Sequence, residues 1–194
     1  MDDSIWTGTL ASFRERVAGA EPVPAGVSAA AVTATFALGL LTKVLAICGR
    51  RKSFAGDRRR LSEIMEAARR ESAILERAAD QDIAAFQRYM QSRALGQPDL
   101  TAAIEIPMDA IHAAVVGLDL CAEAAGMVHA FVAADLGAAA TLLASAIQAM
   151  LLSLDFNFSQ LGSKELPTAN RQLEEHALHQ AEAVRRRVLE IIAG

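Results

Sequence analysis

Apolar residues recur at steps of three and four along most of this chain, the spacing of one face of an α-helix. The clearest stretch covers about 57–92, where Leu61, Ile64, Met65, Ala68, Leu75, Ala79, Ile83, Phe86 and Met90 form one stripe. A shorter amphipathic helix is expected over about 5–17, with Ile5, Leu10, Phe13 and Val17 as its apolar side. Residues 28–48 predict a helix carrying small side chains on several faces, with Ser28 as its N-cap. A fourth segment, about 100–125, is interrupted at Pro107, which kinks or splits it because proline removes one helical hydrogen bond. Asp135 opens a long uncharged helix to about 156. A last helix covers about 168–192, with Leu173, Ala177, Ala181, Val184, Val188 and Ile191 facing inward. No repeat of twenty to fifty residues and no linker divides the chain. The expected architecture is all-α: one helical bundle of about five to seven helices, a single domain over 1–194.

Composition sharpens this picture. Hydrophobic residues make up 53% of the 194 positions and aromatic ones only 5%, so alanine carries much of the apolar content. That favours closely packed helices over a β-sandwich. The stretches 22–42 and 136–154 carry no charge and are about long enough to span a bilayer. Both are rich in Ala, Gly, Ser and Thr, which insert poorly, so burial inside a soluble bundle is the expectation and no membrane partner is. The net charge of -4 argues against a nucleic-acid partner. Two widely spaced cysteines make no disulfide framework, and the acidic start Met1-Asp2-Asp3 lacks a signal core, so a cytoplasmic setting is expected.

Several residues could carry chemistry. Pro22-Val23-Pro24-Ala25-Gly26-Val27-Ser28 is a turn aimed at a helix start, where free N–H groups favour an anion or polar ligand; a loop that only caps a helix is the plainer reading. Asp82 falls on the buried stripe between Ala79 and Phe86, where a carboxylate must be paired, protonated or used. Asp80 points away and reads as ordinary surface. Asp135 serves as an N-cap, a ligand-facing carboxylate, or both. Arg50, Arg51 and Lys52 form a basic loop that binds an acidic ligand or is simply solvated. Asn157 caps a helix end or reads a heterocycle's hydrogen-bond pattern. His176 and His179 lack a third strong ligand nearby, so no metal site is expected.

These segments, taken in order, resemble the formiminotetrahydrofolate cyclodeaminase and methenyltetrahydrofolate cyclohydrolase family. The turn from Pro22 to Ala31 is similar to that family's glycine-rich turn, and Gly49-Arg50-Arg51-Lys52 to its Gly-Lys-Lys-Lys loop. Asp82-Ile83-Ala84-Ala85-Phe86 with Met90 resembles its Asp-x-x-Ala-Phe helix motif. Glu105-Ile106-Pro107 sits where the family has a proline-broken helix. Asp135-Leu136-Gly137-Ala138-Ala139 resembles its Asp-Ala-Gly-Val-Ala start, and Asn157 matches the second of its two late asparagines. The chain departs from that pattern at Ala25 and Val27, where the family has glycines, and at Ser153, which replaces the first asparagine.

The resemblance implies a dimeric all-α bundle acting on a one-carbon unit of tetrahydrofolate. As a lyase it would close the formimino derivative to the methenyl form with release of ammonia. As a hydrolase it would open the methenyl ring to formyltetrahydrofolate. It implies Asp82 and Asp135 as catalytic carboxylates and Gly26, Ser28, Arg50, Lys52 and Asn157 as substrate-binding residues, the loop bases holding folate's acidic tail. The substrate is a folate-type small molecule, with no covalently bound cofactor. The departures leave open a non-catalytic helical homodimer that binds a partner or a folate-like ligand.

Overall fold

Side-chain caps at Ser4, Thr9 and Asp57 start the 3-10 turn and two of the helices. A computed structural model describes residues 4–96, 99–160 and 168–194. A 3-10 turn at Ile5–Thr7 precedes six α-helices: α1 Leu10–Val17, α2 Gly26–Arg50, α3 Arg58–Ala94, α4 Thr101–Ala124, α5 Ala130–Gln160 and α6 Thr168–Ala193. No strand occurs among the described residues. The all-α expectation holds, and the boundaries of α3 and α6 lie within two residues of those read from the periodicity.

The single N-terminal helix expected over 5–17 is broken in two. Thr9 caps α1 by accepting the Ser12 N–H, and the Ser12 hydroxyl closes the reciprocal bond to the Thr9 backbone N–H. Ile5 is buried, whereas Leu10 is 67% exposed, so the apolar side predicted for this segment is not a shared buried face. Asp80 is not ordinary surface. Its carboxylate accepts the Ser4 hydroxyl at 2.7 Å and the Ile5 N–H at 2.9 Å, which pins the N-terminal turn to α3.

α2 and α5 form the centre of the bundle. α2 packs on α3 and α5, α4 packs on α3 and α5, and α6 closes over α5 and α4. α2 and α5 run antiparallel: Gly26 lies against Ser153 at one end, and Lys43 meets Asp135 at 2.7 Å towards the other. Leu38, Leu41, Leu45, Leu143, Ile147 and Met150 are almost completely buried between the layers. Each such side chain stabilises the fold by about 1.5–3 kcal/mol relative to exposure. Gly117 of α4 marks the closest approach: a Cβ there would sit 2.6 Å from Leu38 and 3.4 Å from Leu143. By length and composition α2, α4 and α5 are each apolar enough to cross a membrane, and 56%, 39% and 50% of their most apolar stretches are buried inside the bundle.

Three further expectations change. Ser28 is not an N-cap, because α2 begins two residues earlier and Ala25 occupies the cap position without a side-chain bond. Ala25, Gly26 and Val27 all lie outside the positive-φ region, so valine at 27 meets no backbone strain. Asp135 does not open α5, which starts at Ala130. Pro107 neither splits nor ends α4, which continues through it. Ala30, Ala34 and Ala37 are buried within the protomer, so a small-residue stripe on α2 is not offered to a second copy.

Candidate functional site

One stripe of α3 and the first turn of α2 build the site. Residues 82, 86, 89 and 93 follow at steps of four, three and four, which returns them to one face. Asp82, Phe86, Tyr89 and Arg93 therefore stand in a row, and all four line a cavity of about 490 Å³. Pro22, Val23 and Gly26 wall it from the turn before α2, Leu100 and Ala103 from the start of α4, and Ser153, Phe156 and Asn157 from the end of α5. This volume suits a small organic ligand. Asp82 and Arg93 are the only charged groups among the described residues that line it.

Ser28 connects α2 to the carboxylate. With α2 starting at Gly26, Ser28 lies within the first turn of the helix and is fully buried. Its hydroxyl lies 2.8 Å from Asp82 Oδ2 and 3.1 Å from the Ala79 carbonyl, with one proton shared between two acceptors. Burial pushes the Asp82 carboxyl above its ordinary range, and the Ser28 hydroxyl and backbone N–H pull partly against that shift. The result is a carboxyl that takes up a proton more readily than a solvated one, beside the uncapped start of α2 and its positive dipole end. Gly26 packs closely here: a Cβ would come within 3.2 Å of Ser153 Oγ, a contact that a small shift of that hydroxyl relieves.

Asn157 reaches the site across the bundle. Its Nδ2 donates to the Ala103 carbonyl at 2.6 Å, which leaves its carbonyl oxygen and second amide hydrogen to offer a ligand. Phe86 and Tyr89 stand 6.3 Å apart between ring centroids, tilted by 58°. The cavity thus combines a proton-accepting carboxyl, an amide, an aromatic wall and a cation.

The structure brings Gly26, Ser28, Asp82 and Asn157 together and leaves Arg50, Lys52 and Asp135 elsewhere in the protomer. Asp135 is paired with Lys43 at 2.7 Å on the outer side of the α2–α5 contact. Arg50 and Lys52 are exposed at the far end of α2, about 36 Å from Gly26 by helical rise. A smaller cavity of about 220 Å³ lies at that end, between the loop from Arg51 to Gly56 and the segment from Gly126 to His129. His176 Nε2 lies 2.9 Å from Asp119 across α6 and α4. Tyr89 and Arg93 are site residues that the sequence reading missed. Their signal was the helical spacing from Asp82, overlooked because Arg93 falls beyond the last apolar residue of the stripe.

Comparisons with known proteins identify the fold and the family. The family model described as formiminotransferase-cyclodeaminase matches residues 9–177. The fold is similar to that of a formiminotetrahydrofolate cyclodeaminase from Thermotoga maritima, at a TM-score of 0.83 and 21% identity over 98% of each chain. Comparison with curated proteins finds no match. The matched family region contains every residue of the cavity, from the turn before α2 to the end of α5, and the chain belongs to the formiminotransferase-cyclodeaminase family.

Proposed function

We propose that this protein is a folate-dependent one-carbon enzyme that cyclises formiminotetrahydrofolate to the methenyl form and releases ammonia. The observation that carries this reading is the half-buried Asp82 carboxyl, held by Ser28 on the wall of the cavity, with its proton affinity raised by desolvation. Ring closure needs such a group. N10 of the substrate attacks the formimino carbon, the N10–carbon bond forms, and the bond from that carbon to the terminal nitrogen breaks. The N10 proton passes to the Asp82 carboxylate and from there to the departing nitrogen, which leaves as ammonia. The cationic amidine keeps its single positive charge throughout, and the nearby carboxylate stabilises it. A base whose proton affinity is raised above the ordinary carboxylate range performs both transfers better than a solvated carboxylate.

In this reading Asp82 is the catalytic group, and Gly26, Ser28 and Asn157 shape and hold the reacting end. Asp135, Arg50 and Lys52 stand outside the reacting centre of the protomer. Incubating the purified protein with formiminotetrahydrofolate, while following methenyl absorbance and released ammonia, tests the reaction. Production of both at equal rates is expected. Opening of the methenyl ring without ammonia release from the formimino compound would assign the hydrolase reaction instead. Folate binding with neither turnover would leave a helical folate-binding protein.

We also infer that the protein is a homodimer and works in the cytoplasm as one domain over 1–194. The outer faces of α2 and α5 are largely uncharged, with Phe36 at 49% and Leu152 at 72% exposure, and a second copy would cover them. Sedimentation at low micromolar concentration should give a mass near twice 20.6 kDa; a monomer alone would overturn this.

A further inference from the structure

The cavity is polarised along α3. Asp82 lies at one end of the stripe and Arg93 eleven residues further on, at its other end. Eleven residues advance about 16 Å and turn the helix by only about 20° beyond three full turns. The two charges therefore face the same cavity, separated by the length of an extended small molecule. Phe86 and Tyr89 fill the interval. Among the described residues Arg93 takes part in no ion pair, although nine other pairs occur across the protein. The basic loop expected to hold an acidic tail is at the opposite end of α2.

We infer that Arg93 is the residue that recognises the acidic end of the ligand, which lies along α3 with its reacting carbon at Asp82, its aryl ring against Phe86 and Tyr89, and its terminal carboxylate on the Arg93 guanidinium. This rests on the folate reading proposed above and deepens it. In tetrahydrofolate the reacting N10 is bonded directly to a benzoyl ring, and the ring carries glutamate through an amide on its far side. That order of amine, ring and carboxylate is the order of carboxyl, aromatic pair and cation along the helix. A planar guanidinium receives a carboxylate through two parallel hydrogen bonds, which makes arginine suited to this end. The assignment gives the site a preference for glutamylated ligands over neutral ones of the same shape.

The test compares 5-formyltetrahydrofolate with the same compound carrying a neutral methylamide in place of glutamate, both titrated by calorimetry. The wild-type protein should bind the glutamylated compound about tenfold more tightly, the usual scale for a charge-assisted contact. Arg93→Ala and Arg93→Gln should bind both compounds alike, the preference being lost. Arg93→Lys should keep part of the preference, and Arg93→Glu should reverse it. A wild-type protein that binds both compounds equally, or an Arg93→Gln variant that keeps the full preference, overturns the assignment and leaves the folate reading standing. A wild-type protein that binds neither compound overturns both. Should Arg93→Ala fail to fold, the wild-type comparison and the Arg93→Gln and Arg93→Lys variants still decide the matter.

Discussion

Asn157 Nδ2 donates to the Ala103 carbonyl at 2.6 Å, and that carbonyl is the one that Pro107 leaves without a helical partner. A helical N–H bonds the carbonyl four residues earlier, and proline has no N–H to give. α4 passes through Pro107 because a side chain from α5 supplies the missing donor. The proline and the asparagine therefore form one device, which ties the end of α5 to the start of α4 at the wall of the cavity.

Removing one half of that device should expose the coupling. Asn157→Ala leaves the Ala103 carbonyl unsatisfied and should cost about 1–3 kcal/mol of stability. In a Pro107→Ala background the carbonyl regains its helical donor, and the same substitution should cost much less. Urea unfolding of the four proteins measures the difference. Equal costs in both backgrounds would show that the two residues act independently.

Asp82→Asn should abolish turnover while keeping the fold. It should also change the pH dependence of stability. The Asp82 carboxyl lies above its ordinary value of 3.8 in the folded protein, so the native state binds the extra proton between the two values. Stability from this group therefore falls as pH rises through that window, and above it the partly desolvated carboxylate is a net cost. The variant should melt at or above the wild-type temperature at pH 7, and the gap should close on acidification. A variant less stable at pH 7 than at pH 4, relative to wild type, contradicts the burial argument.

Ser28→Ala removes the hydroxyl that favours the ionised carboxylate, so the Asp82 proton affinity should rise further. The acid limb of kcat/KM should move to higher pH, with about a tenfold loss of activity at neutral pH. Rate profiles for wild type, Ser28→Ala and Ser28→Thr would read this directly, with threonine restoring part of the profile. Superimposable profiles would remove Ser28 from the proton-handling machinery.

Gly117→Val should destabilise by about 1–3 kcal/mol or more, because its added carbons enter the space filled by Leu38 and Leu143. A thermal melt unchanged within error would mean that the α2–α4–α5 contact has slack that the packing does not show.

Neither thiol should react in the folded protein. Cys48 and Cys121 are both buried, and burial pushes the Cys121 thiol up to about 12, far from the reactive thiolate form. Titration with an aromatic disulfide reagent should show no release of chromophore until denaturant is added. One fast equivalent in native buffer would reveal local opening around α2 or α4.

The helices were largely legible in the sequence. The stripe from Leu61 to Ile83 is a property of one helix turning at a fixed angle per residue, and it needs no knowledge of the neighbours. Asp82 could be singled out for the same reason, as a carboxylate on a buried face. Even the break before α1 had a local signal in Thr9 and Ser12. What each polar group would meet was not legible. Ser28 looked like a cap and became the donor to Asp82; Asp80 looked like surface and holds the N-terminal turn; Asp135 looked like a helix start and pairs with Lys43. Arg93 drew no notice in the sequence and is the cation of the cavity. Helical periodicity determines which face a residue occupies, but the register between helices determines its partner. That register comes from the summed packing of side chains far apart in sequence, such as Leu38 against Gly117 and Gly26 against Ser153, so only the tertiary structure decided it.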